Sequence, residues 1–275
     1  MTQDNRRFSH SLIDTFLECP RKVRYRYIEK IEDPKTPALL KGSACDEAWN
    51  AALEAKIEDS TIARDDLLTL TEERYRANVA DAGGLSSINW QDTGDRKELA
   101  RKHLAQALQM AGAWHDDLYP LIQPSAVQVR LERTLPSGRT FIGFLDWEGT
   151  YDERLEAIGD NKTGSKSMAD YEAEKALQPT AYAYLKGHAT DFVFTRAILL
   201  PKSGTKTQAV HTYRSVEDAE WYGQMVTAIE DQWVAGNFPP NPKSNLCGPK
   251  FCAFYAKCMP HKTTHTAATL ETKEG

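Results

Sequence analysis

An α/β fold is expected from this sequence, with a mixed central sheet flanked by helices and a helical N-terminal region. Three observations predict it. Helical periodicity dominates as far as residue 118, apolar and polar residues begin to alternate near 126, and a strand, helix, strand succession follows that fits a parallel crossover. The composition, 41% hydrophobic and 27% charged over 275 residues, gives room for one large domain or two small ones and excludes a fibre. The expected division is a helical region over 1–125, a core over 126–260 ending in a cysteine cluster, and a disordered tail over 261–275.

The elements follow in order. Ser9 and Ser11 can cap a short helix through Leu12, Ile13, Phe16 and Leu17, which Cys19-Pro20 ends. A basic and aromatic run follows from Arg21 to Lys30. The spacing of Ala44, Ala48, Trp49, Ala52 and Leu53 suits an amphipathic helix over 39–57, and two more helices are expected near 61–81 and 96–118. Val127, Val129 and Leu131 alternate with polar residues, Pro136-Ser137-Gly138 turns the chain, and Thr140 to Leu145 runs into Asp146. After a second turn at 152–154, Leu155, Ala157 and Ile158 lead to Asp160, completing a three-strand meander. A helix over 168–186, strands over 192–200 and 209–213, and a helix over 216–236 precede a loop and the cysteine cluster.

A formal net charge of -5 argues against a basic coat for nucleic acid, so any such contact must be local. The opening residues lack the apolar core of a signal peptide, and no window reaches the roughly 18 apolar residues of a membrane span, so a cytoplasmic location and no membrane partner are expected. In that reducing compartment the five cysteines point to metal binding before disulfides. Cys19 and Cys45 stand early, and Cys247, Cys252 and Cys258 fall within twelve residues. No Gly-x4-Gly-Lys-Ser/Thr phosphate loop occurs.

The central constellation is Gly143-Phe144-Leu145-Asp146 with Ile158-Gly159-Asp160-Asn161-Lys162. Adjacent strands of a meander can bring both carboxylates to one sheet end, where they offer hard oxygen ligands for Mg²⁺ or Mn²⁺. Lys162, two residues past Asp160 on a strand, points to the same side and could position a water or stabilise negative charge. The bland alternative is a solvated charge pair at a strand end. The same acid-any-Lys triplet also begins at Asp33, Glu54, Asp95 and Glu271, so only its place beside Asp146 sets Asp160 apart.

Taken in order, Phe16-Leu17-Glu18-Cys19-Pro20-Arg21-Lys22, Gly42-Ser43-Ala44-Cys45-Asp46-Glu47, Gly143-Phe144-Leu145-Asp146, Asp160-Asn161-Lys162-Thr163-Gly164, Gln178 with Tyr182, and the three late cysteines resemble the RecB-like nucleases of the PD-(D/E)XK superfamily. The likeness is to their iron–sulfur branch, which includes CRISPR-associated and phage-encoded exonucleases. It implies a restriction-endonuclease-like core and metal-dependent hydrolysis of DNA, at single-stranded ends. Recombination, repair, phage or CRISPR adaptation machinery would supply the partners. It further implies that Asp146 and Asp160 hold the metal with the Asn161 carbonyl, that Lys162 is catalytic, and that Gln178 and Tyr182 support the site from a helix. For Tyr182 a buried packing role is the alternative. Glu132 aligns with an acid common in these enzymes, or is an exposed strand carboxylate. Asp46 stands where the family usually has a metal-binding His. It can ligate through oxygen, or only pair on the helix surface.

The same resemblance assigns Cys19, Cys247, Cys252 and Cys258 to a structural 4Fe-4S cluster joining the two ends of the chain, whereas four thiolates alone would suit zinc equally. Cys45 is left over as a small buried helix residue. The run Arg21, Lys22, Arg24, Tyr25, Arg26 can hold phosphates while the aromatic stacks on bases, or be a solvated helix face with buried tyrosines. Lys166, Lys202 and Lys206 are weaker phosphate candidates on loops.

Overall fold

The computed structural model describes residues 7–90, 92–200 and 204–260. The expected tail and Lys202 lie outside the described residues. The chain divides into two compact units, one of Met1–Arg7 with Lys35–Gln224, the other of Phe8–Pro34 with Met225–Gly275.

The chain opens in the second unit with β1 (Phe8–Ser9), α1 (His10–Glu18) and α2 (Pro20–Val23), followed by a π-helical turn over Arg24–Ile28. Ser9 caps α1 by accepting the Leu12 N–H at 3.3 Å, and Pro20, which has no N–H to give, opens α2. Phe8 and Phe16 pack edge-on against Trp233 and Phe238 of the returning chain, and Tyr25 packs against Phe254.

The first unit begins with α3 (Pro37–Ile57), α4 (Arg64–Asp81) and α5 (Arg96–Asp117). Thr36 and Asp95 cap α3 and α5 through their side chains. These helices share a core in which Trp49 stacks on Trp114 at 5.2 Å, and the core continues into Trp147, Ala157, Val193 and Ala197 of the sheet. The sheet strands are β2 (Ile122–Thr134), β3 (Thr140–Tyr151), β4 (Leu155–Gly164), β5 (Thr190–Leu200) and β6 (Gly204–Arg214). β2, β3 and β4 form the expected antiparallel meander, β5 lies parallel to β4, and β6 returns antiparallel to β5. The sheet is therefore mixed, as expected.

The crossover differs from expectation. One helix over 168–186 becomes two, α6 (Asp170–Lys175) and α7 (Leu177–Lys186), separated by Ala176 in extended backbone at φ -65 and ψ 128. Pro179 is the cause. Inside one continuous helix its missing N–H would leave a carbonyl a turn earlier without a partner, whereas in the first turn of α7 no N–H is needed. The carbonyls freed by the break do not go unsatisfied. Arg214, 4% exposed at the end of β6, donates Nη2–H to Ala173, Glu174 and Ala176 at 2.8, 2.9 and 3.0 Å, and Nε–H to Thr180 Oγ1 at 2.7 Å.

α7 then runs close over β3. A Cβ at Gly143 would lie 2.6 Å from Leu185 Cδ1 and 3.3 Å from Tyr182 Cε1, so a glycine is what lets the helix approach. β6 is longer than the expected 209–213, because Thr205 to Gln208 have little apolar character yet pair with β5 through to Leu200↔Gly204. The helix α8 (Val216–Val234) belongs to the first unit up to Gln224 and to the second beyond it, and the short α9 (Tyr255–Cys258) is the last helix of the described residues.

Replacing Arg214 by Met should strand several buried carbonyls and lower stability by about 3 kcal/mol, since each buried acceptor left without a donor costs about 1–3 kcal/mol. Urea unfolding of the two proteins reads this directly. A variant within about 0.5 kcal/mol of the parent would show that the arginine does not hold the break.

Candidate active site

The regular β3–β4 ladder stops at Trp147↔Gly159, and the next residues on the two strands are Asp146 and Asp160. At that point the Asn161 N–H donates to Asp146 Oδ2 at 2.7 Å, so the carboxylate takes a backbone donor at the end of the ladder. Asp160 and Asn161 are buried, at 0% and 3% exposure. Thr195 on β5 donates its hydroxyl to Asn161 Oδ1, pinning the residue between the two acidic positions from the other side.

Asp160 is held from two directions. The Lys162 ammonium lies 2.8 Å from Oδ1 and 2.7 Å from Oδ2, donating to the first; the second contact is an ion pair outside hydrogen-bond geometry, so buried Oδ2 has no hydrogen-bond donor. The Gln178 amide donates to Oδ1 at 2.6 Å and lies 3.1 Å from Tyr182 Oη, which in turn donates to the Phe144 carbonyl at 2.7 Å. Gln178 and Tyr182 are one helical turn apart on α7, as their spacing requires. Tyr182 is 5% exposed and stacks on Phe192 at 5.9 Å.

These residues line a cleft of about 370 Å³ together with Leu39, Gly42, Ser43 and Asp46 of α3. Asp46 is thereby brought to the same cleft as the two strand acids. Its carboxyl is pushed up to about 6, by burial first and by Asp160 and Glu47, against the pull of Lys162. Asp146 is driven well above the usual carboxylate range by burial, then by Asp160 and Asp46. Lys162 is pulled down by burial, but Asp160, Asp146 and Asp46 outweigh that and hold it above its ordinary value. Three acids therefore crowd one lysine in this cleft, and their burial and mutual repulsion make ionising all of them costly. Among the described residues, however, no group of three or more His, Cys, Asp or Glu side chains converges to metal-holding distance.

The profile of the PD-(D/E)XK nuclease superfamily matches residues 7–259. The chain belongs to this superfamily. A crystal structure named "Putative exonuclease" from Eubacterium rectale shares the fold of this PD-(D/E)XK chain at a TM-score of 0.54 and 13% identity, covering 94% of this chain and 88% of that one. No curated protein sequence matches.

Other expected residues of this PD-(D/E)XK nuclease fall elsewhere. Glu132 is on β2, pairs with Arg130 on the surface and is not part of the cleft lining, so the structure does not bring it to the acids. Cys19, Cys247, Cys252 and Cys258 line one pocket of the second unit, although among the described residues no three of them are placed to hold a single metal ion. Cys45 is fully buried on α3, donates to the Ala107 carbonyl at 3.5 Å, and has its thiol pushed up to about 12 by burial.

In the basic run, Arg21 donates to the Phe238 carbonyl at 2.8 Å, Lys22 pairs with Glu18, Arg24 with Glu29 and Arg26 with Asp33. Tyr25 is 5% exposed, so its ring is not open to a base. Lys166 pairs with Glu172 at 2.9 Å, and Lys206 lies within β6 opposite Ile198. Two neighbours of the site were missed by sequence reasoning, Thr195 and Arg196. The signal was available, since they are the only polar residues inside the apolar stretch Phe192–Leu200.

In metal-free protein, Asp46→Asn should raise stability by about 1–2 kcal/mol near pH 8, a value discounted for solvent screening. A carboxyl whose folded-state pKa is raised, here from 3.8 to about 6, is penalised once ionised. That penalty grows as pH rises from about 4 to 6 and is absent below about 4, where both folded and unfolded forms are protonated. Urea unfolding in EDTA across that range should therefore show the two proteins converging at low pH. A constant gap at every pH would mean that Asp46 does not carry the strain.

Proposed function

We propose that the chain is a Mg²⁺- or Mn²⁺-dependent deoxyribonuclease that hydrolyses phosphodiester bonds at single-stranded DNA ends, in recombination, repair, or phage or CRISPR DNA processing. The observation that carries this reading is the convergence of Asp146, Asp160, Lys162 and Gln178 in one cleft of a PD-(D/E)XK fold. The residues fit a hard divalent cation. Asp160 Oδ2 is a buried acceptor with no hydrogen-bond donor, and the carboxyls of Asp46 and Asp146 are raised first by burial and further by the neighbouring acids, a cost a cation would offset. Asp46, Asp146 and Asp160, with the Asn161 carbonyl, would hold it.

A cation held by these residues would supply activation of water and neutralisation of charge on the phosphoryl group. The chain's own residues do the rest. Lys162 contributes an ammonium beside Asp160, where it orients the attacking water or stabilises developing negative charge. Gln178 fixes the Asp160 carboxylate, and Tyr182 ties α7 to the β3 carbonyl at Phe144, so that both strands and the helix hold one geometry.

A second reading rests on Asp46, which replaces the imidazole expected at that position: a DNA-end binding adaptor with degraded catalysis. Digestion of end-labelled single-stranded DNA in Mg²⁺, Mn²⁺ or EDTA separates the two. The nuclease should release label only with metal, Asp160→Ala should release none, and Lys162→Ala should be slower by about 10²–10³-fold. Retained binding with no release by the parent protein would establish the adaptor.

The four-cysteine pocket is the place for the structural 4Fe-4S cluster in this reading. Burial raises the Cys252 and Cys258 thiols, and Cys19 and Cys247 add to both. The Asn241 N–H lies 3.4 Å from Cys19 Sγ, a donor suited to a thiolate ligand. Anaerobically purified protein should be brown and contain iron and sulfide. Colourless protein with stoichiometric zinc would replace the cluster by a zinc staple.

A further inference from the structure

β5 carries a cation with no hydrogen-bond or ion-pair partner among the described residues. Arg196 stands in register with Lys162, just as Thr195 does with Asn161, and paired residues on neighbouring strands project to the same face. Arg196 is thus beside Lys162 on the face that bears Asp160. Its guanidinium rests against Gly164, where an added Cβ would come 2.9 Å from Nη2 and 3.6 Å from the Lys166 carbonyl oxygen. The Nε atom is buried and meets no acceptor among the described residues. The nearby Lys166 is already tied to Glu172, so it cannot take the same role without breaking that pair.

A buried guanidinium donor without an acceptor is costly, and arginine does not escape the cost by losing its proton. Burial weakens its hold on the proton while Asp160 and Glu172 strengthen it, which places the group within electrostatic reach of the reacting centre. What is missing is an oxygen acceptor carrying negative charge, presented at the cleft from outside the chain. An arginine fork can take two such oxygens at once.

We propose that Arg196 binds a backbone phosphate of the polynucleotide substrate, the one adjoining the phosphate that is hydrolysed. This rests on the nuclease reading above. The absence of Cβ at Gly164 is part of the device, because it leaves room for the guanidinium beside the strand that carries Asp160 and Lys162.

The test compares parent, Arg196→Gln, Arg196→Lys and Gly164→Ala on end-labelled single-stranded DNA with Mg²⁺ or Mn²⁺ over a range of salt. Arg196→Gln should raise KM about tenfold, leave kcat within about threefold, and flatten the dependence of log KM on log salt by about 0.7, the contribution of one phosphate contact on a single strand. Arg196→Lys should recover part of the KM loss, and Gly164→Ala should raise KM by displacing the guanidinium. The urea midpoint of Arg196→Gln should not fall below the parent's, since no internal hydrogen bond is lost and a buried donor without an acceptor is removed. An active parent whose KM and salt slope are unchanged in Arg196→Gln overturns the assignment alone; a parent that neither binds nor digests DNA overturns the nuclease reading with it.

Discussion

Two carboxylates side by side at the end of a buried ladder are unfavourable unless something compensates them, and most of the first unit is arranged around that cost. Asp146 is met by a backbone N–H, and Asp160 by an ammonium and an amide. The compensation is incomplete. Asp146 and Asp46 keep carboxyls raised first by burial and then by the neighbouring acids, a cost the folded chain carries and the proposed divalent cation would offset. Stability and function compete here for the same few atoms, as is common where ionisable groups are gathered for chemistry.

The elements that position these atoms were readable in the sequence where physics is local. The meander followed from two alternating stretches with turn residues between them, and Asp146 and Asp160 followed from their places at the strand ends. The helix pair Gln178 and Tyr182 came from the resemblance to the nuclease motifs, and their i, i+4 spacing let both face the sheet. Asp46 was readable as a position in a motif, but its nearness to the strand acids is a long-range property set by how α3 lies on β4.

Less was legible where contacts are distant in sequence. The break between α6 and α7 has a local cause in Pro179, yet its energetic support comes from Arg214 on another strand. Of the cations in the Arg21 to Arg26 segment, Arg21 takes a partner far along the chain, the Phe238 carbonyl, while Lys22, Arg24 and Arg26 pair with the nearby acids Glu18, Glu29 and Asp33. Glu132 shares the sheet with the acids, but its register opposite Ile142 and its pairing with Arg130 keep it out of the cleft. The polar pair Thr195-Arg196 was visible as an interruption of a strand that was read by its apolar residues alone.

Arg214 touches none of the cleft residues, yet the helix start that it secures carries Gln178 two positions on, and Gln178 holds Asp160. A lysine there could not reproduce the arrangement, since one compact ammonium cannot reach three carbonyls and a hydroxyl with the fixed fork of a guanidinium. A screen that scores variants by turnover would therefore file residue 214 with the active site, and one that scores motif positions would discard it. Both would misplace a residue whose job is to decide where a helix begins.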